Sequence, residues 1–196
     1  VYKGILKDGS VVIIKVKRPG IDEVIKNDLL ILKDLVKLID TYSDIGDQIN
    51  LKNAIKAFEK SLLEELSLNH ERQNINQFSI NYKNNPETYV PLVYEDYCSD
   101  NILTMEFIDG IKVTDTEKLQ QHNISAVAIS EAGYRLFISQ ILDFGFFHAD
   151  PHAGNILVNK DGKIVFIDFG VVGRIQTNDQ EQLENHFPAI PREKSH

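Results

Sequence analysis

Apolar positions along the first part of the chain change from a strand-like to a helix-like pattern. The runs VYKGIL and VVIIKVK flank KDGS, which predicts a β-hairpin turning at Asp8-Gly9. From Ile21 to about Tyr42, apolar residues recur every three or four positions, a spacing typical of an amphipathic helix. The same spacing predicts a second helix from about Leu51 to Phe78.

The second part of the chain returns to strand-like runs. After a polar loop over residues 81–88, YVPLVYEDY and NILTMEFIDG predict two strands, followed by an apolar helix over about 125–144 and a hairpin around Asp161-Gly162. Strands and helices in this order favour a two-lobed α+β fold, with lobes expected at 1–110 and 111–196.

Composition narrows the class of protein. A hydrophobic content of 42% and a charged content of 26% are ordinary for a soluble globular chain. The net charge of −8 argues against nonspecific nucleic-acid binding and against adsorption to an anionic membrane. The single cysteine, Cys98, fits a reducing compartment, so we expect a cytoplasmic location. No run reaches the roughly 18 apolar residues of a membrane span, so no transmembrane segment is predicted.

Polar residues are concentrated in the stretch FFHADPHAGNILVNKDGKIVFIDFG, from Phe146 to Gly170. A two-residue turn at Asp161-Gly162 would place Asn155 directly opposite Asp168. Opposed side chains in a hairpin lie about 4.5–5.5 Å apart at Cβ, close enough to share one cation. Mg²⁺ prefers such hard oxygen ligands, so the hairpin predicts a magnesium site at Asn155 and Asp168.

Asp150 precedes Asn155 by five residues, on the loop that leads into the same strand. It can accept a proton from an incoming nucleophile or orient it. Asp150-x4-Asn155 and Asp168-Phe169-Gly170 together match the catalytic-loop and DFG motifs of kinases. The alternative is a polar turn that carries no chemistry.

The histidines of this stretch allow a different interpretation. His148, Asp150 and His152 form H-x-D-x-H, which could present two imidazoles to Zn²⁺ in a hydrolytic site. Pro151 and Gly154 favour a loop instead, so we expect both histidines to hydrogen-bond to loop backbone.

Lys15 lies in the apolar run VVIIKVK and also has two interpretations. One is an edge-strand lysine that extends to solvent, and the other is a lysine that binds nucleotide phosphates and pairs with a helix carboxylate. Periodicity does not choose among its possible partners, which are Glu59, Glu64, Glu65 and Glu71. Further on, residues 103–110 are a candidate hinge, where Glu106 and Phe107 would contact adenine through main-chain groups and Met105 would line the pocket.

Long stretches of the chain resemble the AarF/UbiB atypical kinase-like family, which is associated with ubiquinone biosynthesis. They are VYKGILKDGSVVIIKVKRPG, EKSLLEELSLNHERQNINQF, VPLVYEDYCSDNILTMEFIDGIKV, FFHADPHAGNILV and VFIDFG. The resemblance implies a protein-kinase-like fold that binds ATP or ADP with Mg²⁺. It implies the following roles: Lys15 contacts phosphate, Glu71 pairs with Lys15, Glu65 lies near the nucleotide, Asp150 is the catalytic-loop aspartate, and Asn155 and Asp168 bind the metal.

The chain departs from the family pattern in three places. Ser67 occupies the third position of the family's E-x-D/N element, which normally carries a carboxylate or an amide. The alanine-rich loop and the K-x-G-Q region should precede Val1, and the 26 residues from Val171 to His196 are few for the rest of a large lobe. We therefore expect a piece of a longer protein, with an incomplete start of the N-lobe and an incomplete C-lobe.

Three functional hypotheses follow. The first is an ATP-dependent atypical kinase or ATPase that supports quinone biosynthesis, with quinone-pathway lipid intermediates or proteins as partners and membrane association open for a longer form. The second is a pseudokinase that senses nucleotide without phosphate transfer, which Ser67 favours. The third is the Zn²⁺-dependent hydrolase.

Overall fold

The computed structural model describes residues 1–42, 51–176, 179–180 and 182. The chain forms two compact units. Unit 1 comprises Val1–Gln73 and Val93–Glu106, and unit 2 comprises Asn74–Leu92 and Phe107–His196. The expected lobe boundary near Gly110 lies close to the change of unit after Glu106. Residues 74–92, however, belong to unit 2, because Ile75, Phe78 and Tyr82 are buried there.

Unit 1 contains a three-stranded antiparallel sheet in the order β1-β2-β3. Its strands are β1 (Tyr2–Ile5), β2 (Val11–Val16) and β3 (Ile102–Glu106). The predicted first hairpin is confirmed, with Tyr2 opposite Ile14 and Gly9 in its turn at φ +90°. Glycine adopts that backbone conformation without the steric cost that a side chain would bring.

In the described part of the chain, three helices follow the hairpin of unit 1 before residue 82. Helix α1 spans Ile21–Tyr42, as the apolar spacing predicts. Helix α2 spans Leu51–Glu65 and a separate helix, α3, spans Leu68–Asn81. The single helix predicted over 51–78 is therefore wrong. Ser67 interrupts it, because its hydroxyl accepts a hydrogen bond from the His70 N–H (3.2 Å) and so caps the start of α3.

The described part of unit 2 includes two small sheets and the helices α4 (Thr116–Gln121) and α5 (Ala126–Leu142). One sheet has the order β4-β6-β7, and the other pairs β5 with β8. The strands are β4 (Ile111–Lys112), β5 (Phe146–His148), β6 (Ile156–Val158), β7 (Ile164–Phe166) and β8 (Val172–Arg174). Helix α5 confirms the predicted apolar helix, and Ser125 caps it by accepting the Ala128 N–H.

The core of unit 2 is aromatic. Phe78 lies 5.0 Å from Phe146 and 5.1 Å from Phe169 between ring centroids, and His148 lies 5.3 Å from Phe166. Offset and edge-to-face aromatic pairs at such distances stabilise a core beyond the area they bury. The elements that carry the candidate hairpin residues are thus fixed to α3 by ring packing.

The strand predicted over YVPLVYEDY is not formed. Pro91 has no N–H to donate, and this stretch makes one isolated bridge, from Val93 to Met105, before a 3₁₀ helix at Glu95–Tyr97. Among the described residues, no helix has both the length and the apolar character needed to cross a bilayer.

Candidate functional site

Lys15 and Glu71 form a shielded ion pair within unit 1. Strand β2 carries Lys15, and the first turn of α3 carries Glu71. The side chains are only 13% and 6% exposed, so little water screens the pair. The edge-strand interpretation of Lys15 is therefore wrong, since its ammonium group does not extend freely to solvent.

Of the four glutamates that the sequence left open, Glu71 is the one that contacts Lys15 directly. Glu59 bonds Lys33 at 2.7 Å, and Glu64 lies 3.8 Å from Lys60 within α2. Glu65 ends α2, and its side chain lies outside the described part of the structure. Glu71 is the carboxylate that meets Lys15. Its position is fixed by the cap of α3, because the Ser67 carbonyl accepts the Glu71 N–H at 3.1 Å.

The predicted register of the β6–β7 hairpin is wrong by one residue. Ile156 pairs with Phe166 and Val158 with Ile164, so Asn155 lies opposite Ile167 and not opposite Asp168. The cause is a three-residue loop, residues 160–162, in place of the expected two-residue turn. Asn159 holds this loop by accepting the N–H groups of Asp161 (3.0 Å) and Lys163 (2.9 Å), and Gly162 closes it at φ +77°.

Asn155 and Asp168 nevertheless lie at the same end of the hairpin. The Ile167 N–H donates to the Asn155 carbonyl at 3.0 Å, which joins the residue before Asp168 to Asn155. Strand β7 ends at Phe166, so strand alternation no longer determines the direction of the Asp168 side chain. Asp168 Oδ1 accepts the Gly170 N–H at 2.9 Å.

The donor set at this end of the hairpin suits a hard divalent cation. Asn155 and Asp168 are half-buried and offer amide and carboxylate oxygens. No group of three His, Cys, Asp or Glu residues able to hold a metal occurs in the described part of the chain. Mg²⁺ does not require such a group, because one or two protein ligands with phosphate oxygens and water complete its shell.

Asp150 lies on the loop after β5 with an exposed side chain. Its N–H donates to His148 Nδ1 at 3.1 Å, and its carbonyl accepts the His152 N–H at 2.9 Å. Its carboxylate lies 3.7 Å from His152 Nε2. The main chain is thus fixed while the carboxylate stays accessible, as a proton acceptor requires.

His148 is a structural residue and not a zinc ligand. Its side chain is buried, Nε2 bonds the Asp168 carbonyl at 2.6 Å, and Nδ1 accepts the Asp150 N–H. These partners assign the neutral imidazole with its proton on Nε2, and burial lowers the pKa of His148 below its ordinary value. Because neither nitrogen is available to a metal, the zinc hypothesis is wrong. His152 Nδ1 accepts the Gly154 N–H, so both histidines bond loop backbone, as expected.

Two buried amides near this site were not predicted. Asn74 Nδ2 donates to the Phe169 carbonyl at 2.8 Å, and Gln140 Oε1 accepts the His148 N–H at 2.7 Å. The available sequence signal was an amide at a position that helical spacing assigns to a buried face: Asn74 is three residues after Glu71, and Gln140 lies within the apolar run of α5.

The candidate hinge falls where the chain passes from unit 1 to unit 2. Met105 is buried in β3 opposite Ile13, Glu106 ends β3 opposite Val12, and Phe107 begins the next segment of unit 2. Glu106 and Phe107 are half-buried. Their contact with adenine stays a prediction.

Comparison with known proteins places these residues in a family context. The model of the ABC1 atypical kinase-like domain matches residues 1–195. A protein of Haemophilus ducreyi named "Probable protein kinase UbiB" is 37% identical over 186 residues, which cover 93% of this chain and 34% of the relative. A protein of Erwinia tasmaniensis with the same name is 37% identical over 195 residues, covering 97% of this chain and 36% of the relative. The chain thus spans about a third of the length of these curated relatives.

A solved structure supports the fold independently of close sequence similarity. The structure of Rv3197 with erythromycin from Mycobacterium tuberculosis is similar with a TM-score of 0.72 at 21% identity, over 99% of this chain and 53% of that one. At that identity the likeness shows the fold alone. The family match over nearly the whole chain, with the mixed helix and sheet architecture, shows that this chain belongs to the ABC1 atypical kinase-like domain family and has the kinase-like fold predicted from its sequence.

Proposed function

We propose that this domain binds ATP or ADP with Mg²⁺ and transfers or hydrolyses the terminal phosphate. The observation that carries the proposal is the shielded Lys15–Glu71 ion pair of unit 1. A lysine fixed by a helix carboxylate is the arrangement that kinases use to hold nucleotide phosphates. Here the strand lysine meets Glu71, which is the partner that the family resemblance implies.

The proposed roles divide between the two units. In unit 1, Lys15 contacts phosphate oxygens, Glu71 orients Lys15, and Glu65 lies near the nucleotide. In unit 2, Asn155 and Asp168 hold Mg²⁺, which supplies charge neutralisation to the phosphates when bound. Asp150 orients the attacking hydroxyl or water and accepts its proton. The main chain of Glu106 and Phe107 contacts adenine.

The wider role proposed for the domain is in ubiquinone or related quinone biosynthesis. Its support is the name UbiB borne by relatives that are 37% identical. Quinone-pathway lipid intermediates or proteins are the proposed partners. We propose a cytoplasmic location, in keeping with the single free Cys98, with membrane association of a longer form.

A nucleotide-sensing pseudokinase is the second candidate, and Ser67 favours it. The family's E-x-D/N element has a carboxylate or amide at this position, whereas Ser67 uses its hydroxyl to cap α3. A sensor of this kind would bind nucleotide and change conformation without releasing phosphate.

Phosphate release with ATP and Mg²⁺ distinguishes the two candidates. An enzyme releases phosphate at a rate that depends on Mg²⁺ and that Asp168→Asn abolishes, while Asp161→Asn, in the exposed loop of the same hairpin, leaves the rate unchanged. Tight nucleotide binding without release would identify the sensor. If the chain binds neither ATP nor ADP in the presence of Mg²⁺, both candidates are excluded.

A further inference from the structure

The consecutive carbonyls of Asp168 and Phe169 each accept a hydrogen bond from a buried side chain. His148 Nε2 bonds the Asp168 carbonyl at 2.6 Å, and Asn74 Nδ2 donates to the Phe169 carbonyl at 2.8 Å. His148 is 1% exposed and Asn74 is 8% exposed. The two donors come from β5 and α3, so the segment Asp168–Gly170 is held from two separate elements.

Gln140 extends this arrangement by one more bond. Its Oε1 accepts the His148 main-chain N–H at 2.7 Å, so α5 fixes the strand residue whose imidazole holds the Asp168 carbonyl. Gln140 is 1% exposed, and its Nε2 lies near the phenol of Tyr82 without a hydrogen bond of normal geometry to any described residue.

The buried amide nitrogen of Gln140 destabilises the folded state, so packing alone would favour an apolar side chain at this position. A buried donor without a well-formed hydrogen bond destabilises the folded state, and an apolar side chain of similar volume carries no such donor. The Gln140 oxygen, in contrast, satisfies the His148 N–H in a place that water does not reach. The positioning of His148 therefore explains the presence of an amide at this position.

The segment Asp168–Gly170 has little remaining conformational freedom. The Phe169 ring is fully buried, 5.1 Å from Phe78 and 6.0 Å from His148 between centroids. The Gly170 N–H bonds Asp168 Oδ1, which restrains the carboxylate itself. Groups that restrain a metal-binding side chain in this way tune the affinity of the site, and their removal typically weakens metal binding by about 10- to 100-fold.

We propose that Asn74 and Gln140 are positioning residues that hold the Asp168–Gly170 segment ready for a divalent cation. Asn74 acts directly on the Phe169 carbonyl, and Gln140 acts through His148. This inference rests on the proposed function, because it assumes that Asp168 binds Mg²⁺ beside a nucleotide.

The test compares Asn74→Leu and Gln140→Met with Thr88→Val. The first two substitutions each remove one of the buried hydrogen bonds that hold Asp168 and Phe169, directly or through His148. Thr88→Val removes a buried bond of the same kind in the same unit, from Thr88 Oγ1 to the Ile164 carbonyl (2.8 Å), which still accepts the Tyr89 N–H. It is therefore a control for loss of stability alone. If Asn74→Leu fails to fold, Asn74→Ser removes the same donor with a smaller side chain.

Two measurements are made on each variant. The first is the Mg²⁺ concentration at half-maximal thermal shift with a fixed concentration of ATP, together with ATP binding in EDTA. We expect Asn74→Leu and Gln140→Met to raise the Mg²⁺ midpoint by about tenfold with metal-free ATP binding unchanged. The second is amide hydrogen exchange without ligand, where both variants should expose the Gly170 N–H and Thr88→Val should not.

The two measurements separate failure of the inference from failure of the proposed function. If unsubstituted protein shows no Mg²⁺-dependent shift with ATP, the proposed function fails, and the metal-binding part of the inference fails with it. If that shift is present but both variants keep the original Mg²⁺ midpoint, or Thr88→Val raises it equally, the inference is overturned alone. Unchanged exchange at Gly170 in both variants would overturn the positioning claim whatever the nucleotide result.

Discussion

At the residue scale, the pair Lys15–Glu71 shows how burial changes the contribution of an ion pair to stability. An exposed pair contributes less than about 1 kcal/mol, whereas breaking a buried pair by removing one partner costs about 3–5 kcal/mol, because the remaining charge stays desolvated. The Lys15 ammonium is mostly shielded, and the Glu71 carboxylate more so. The pair therefore keeps a strand lysine in one place, which a phosphate-binding group requires.

Substitution of Lys15 by methionine tests both consequences of this burial. We expect Lys15→Met to lower the free energy of unfolding by about 3 kcal/mol and to weaken MgATP binding by about tenfold or more. The double variant Lys15→Met/Glu71→Gln should recover much of the stability, because no unpaired charge remains, but none of the affinity.

The matched control for this pair is Lys33→Met, which breaks the more exposed pair with Glu59. Chemical denaturation and calorimetric titration measure the two quantities. Recovery of nucleotide affinity in the double variant would contradict a direct role for the lysine.

His148 makes stability depend on pH, and the sign follows from its lowered pKa. An unfolded histidine takes up a proton near its ordinary pKa of about 6.5, while buried His148 stays neutral to lower pH. The unfolded state thus binds more protons in this interval, so the free energy of unfolding is greatest above pH 6.5 and falls as pH drops toward the folded pKa.

Urea denaturation between pH 5 and pH 8 measures this dependence. The unsubstituted protein should lose more stability on acidification than His148→Gln, which cannot titrate. Thr88→Val, which removes a buried hydrogen bond of unit 2 but no titratable group, should keep the original slope. The prediction is contradicted if His148→Gln and the unsubstituted protein show parallel slopes over that range.

At the element scale, the cap of α3 and the β6–β7 loop determine where the candidate residues lie. Ser67 ends the continuous helical spacing and begins a new helix whose first turn presents Glu71. The three-residue loop held by Asn159 sets the register that places Asn155 opposite Ile167. Local polar contacts of a few residues therefore fix the backbone positions of the candidate residues.

Substitutions at Ser67 distinguish the effect of the helix cap from the effect of the carboxylate or amide that the family carries at this position. Ser67→Ala should lower the free energy of unfolding by about 1 kcal/mol, because the His70 N–H loses its acceptor. Ser67→Asp should keep the stability, since aspartate is an equally good cap, and restores the family's carboxylate. We expect Ser67→Asp to bind MgATP more tightly than Ser67→Ala beyond any effect of stability. Equal affinities would remove Ser67 as support for the sensor.

A pair of glycine substitutions tests the loop geometry. Gly162→Ala should destabilise the protein by about 1 kcal/mol, because φ is +77° there, although no atom lies within 4 Å of an added Cβ. Gly133→Ala, inside α5, meets only Ile164 at 3.7 Å and should stabilise by about 0.5–1 kcal/mol. Thermal denaturation measures both. Stabilisation by Gly162→Ala would show that the hairpin closes with a different turn.

How much of this arrangement the sequence determines depends on the distance along the chain over which each contact acts. Helix α1 and the first hairpin follow from local spacing, and the α+β class follows from their order. The register could not be predicted, because Asp161-Gly162 suits a two-residue turn and a three-residue loop alike. The bond from Asn74 to Phe169 joins residues 95 positions apart, which no periodicity indicates.

At the scale of the whole molecule, the chain is a kinase-like domain that spans about a third of its curated relatives. Unit 1 carries the Lys15–Glu71 pair, and unit 2 carries Asp150, Asn155 and Asp168. The chain has a net charge of −8, so the proposed binding of an anionic nucleotide requires local cations that offset this charge. Lys15 and bound Mg²⁺ are the cations that the proposal provides.

Calorimetric titration of ATP in the presence and absence of Mg²⁺, on the unsubstituted chain beside Lys15→Ala and Asp168→Asn, tests the central claim most directly. The claim predicts Mg²⁺-dependent binding that Lys15→Ala weakens at every Mg²⁺ concentration and that Asp168→Asn weakens only when Mg²⁺ is present. The same affinity in all three proteins, with no response to Mg²⁺, would contradict it.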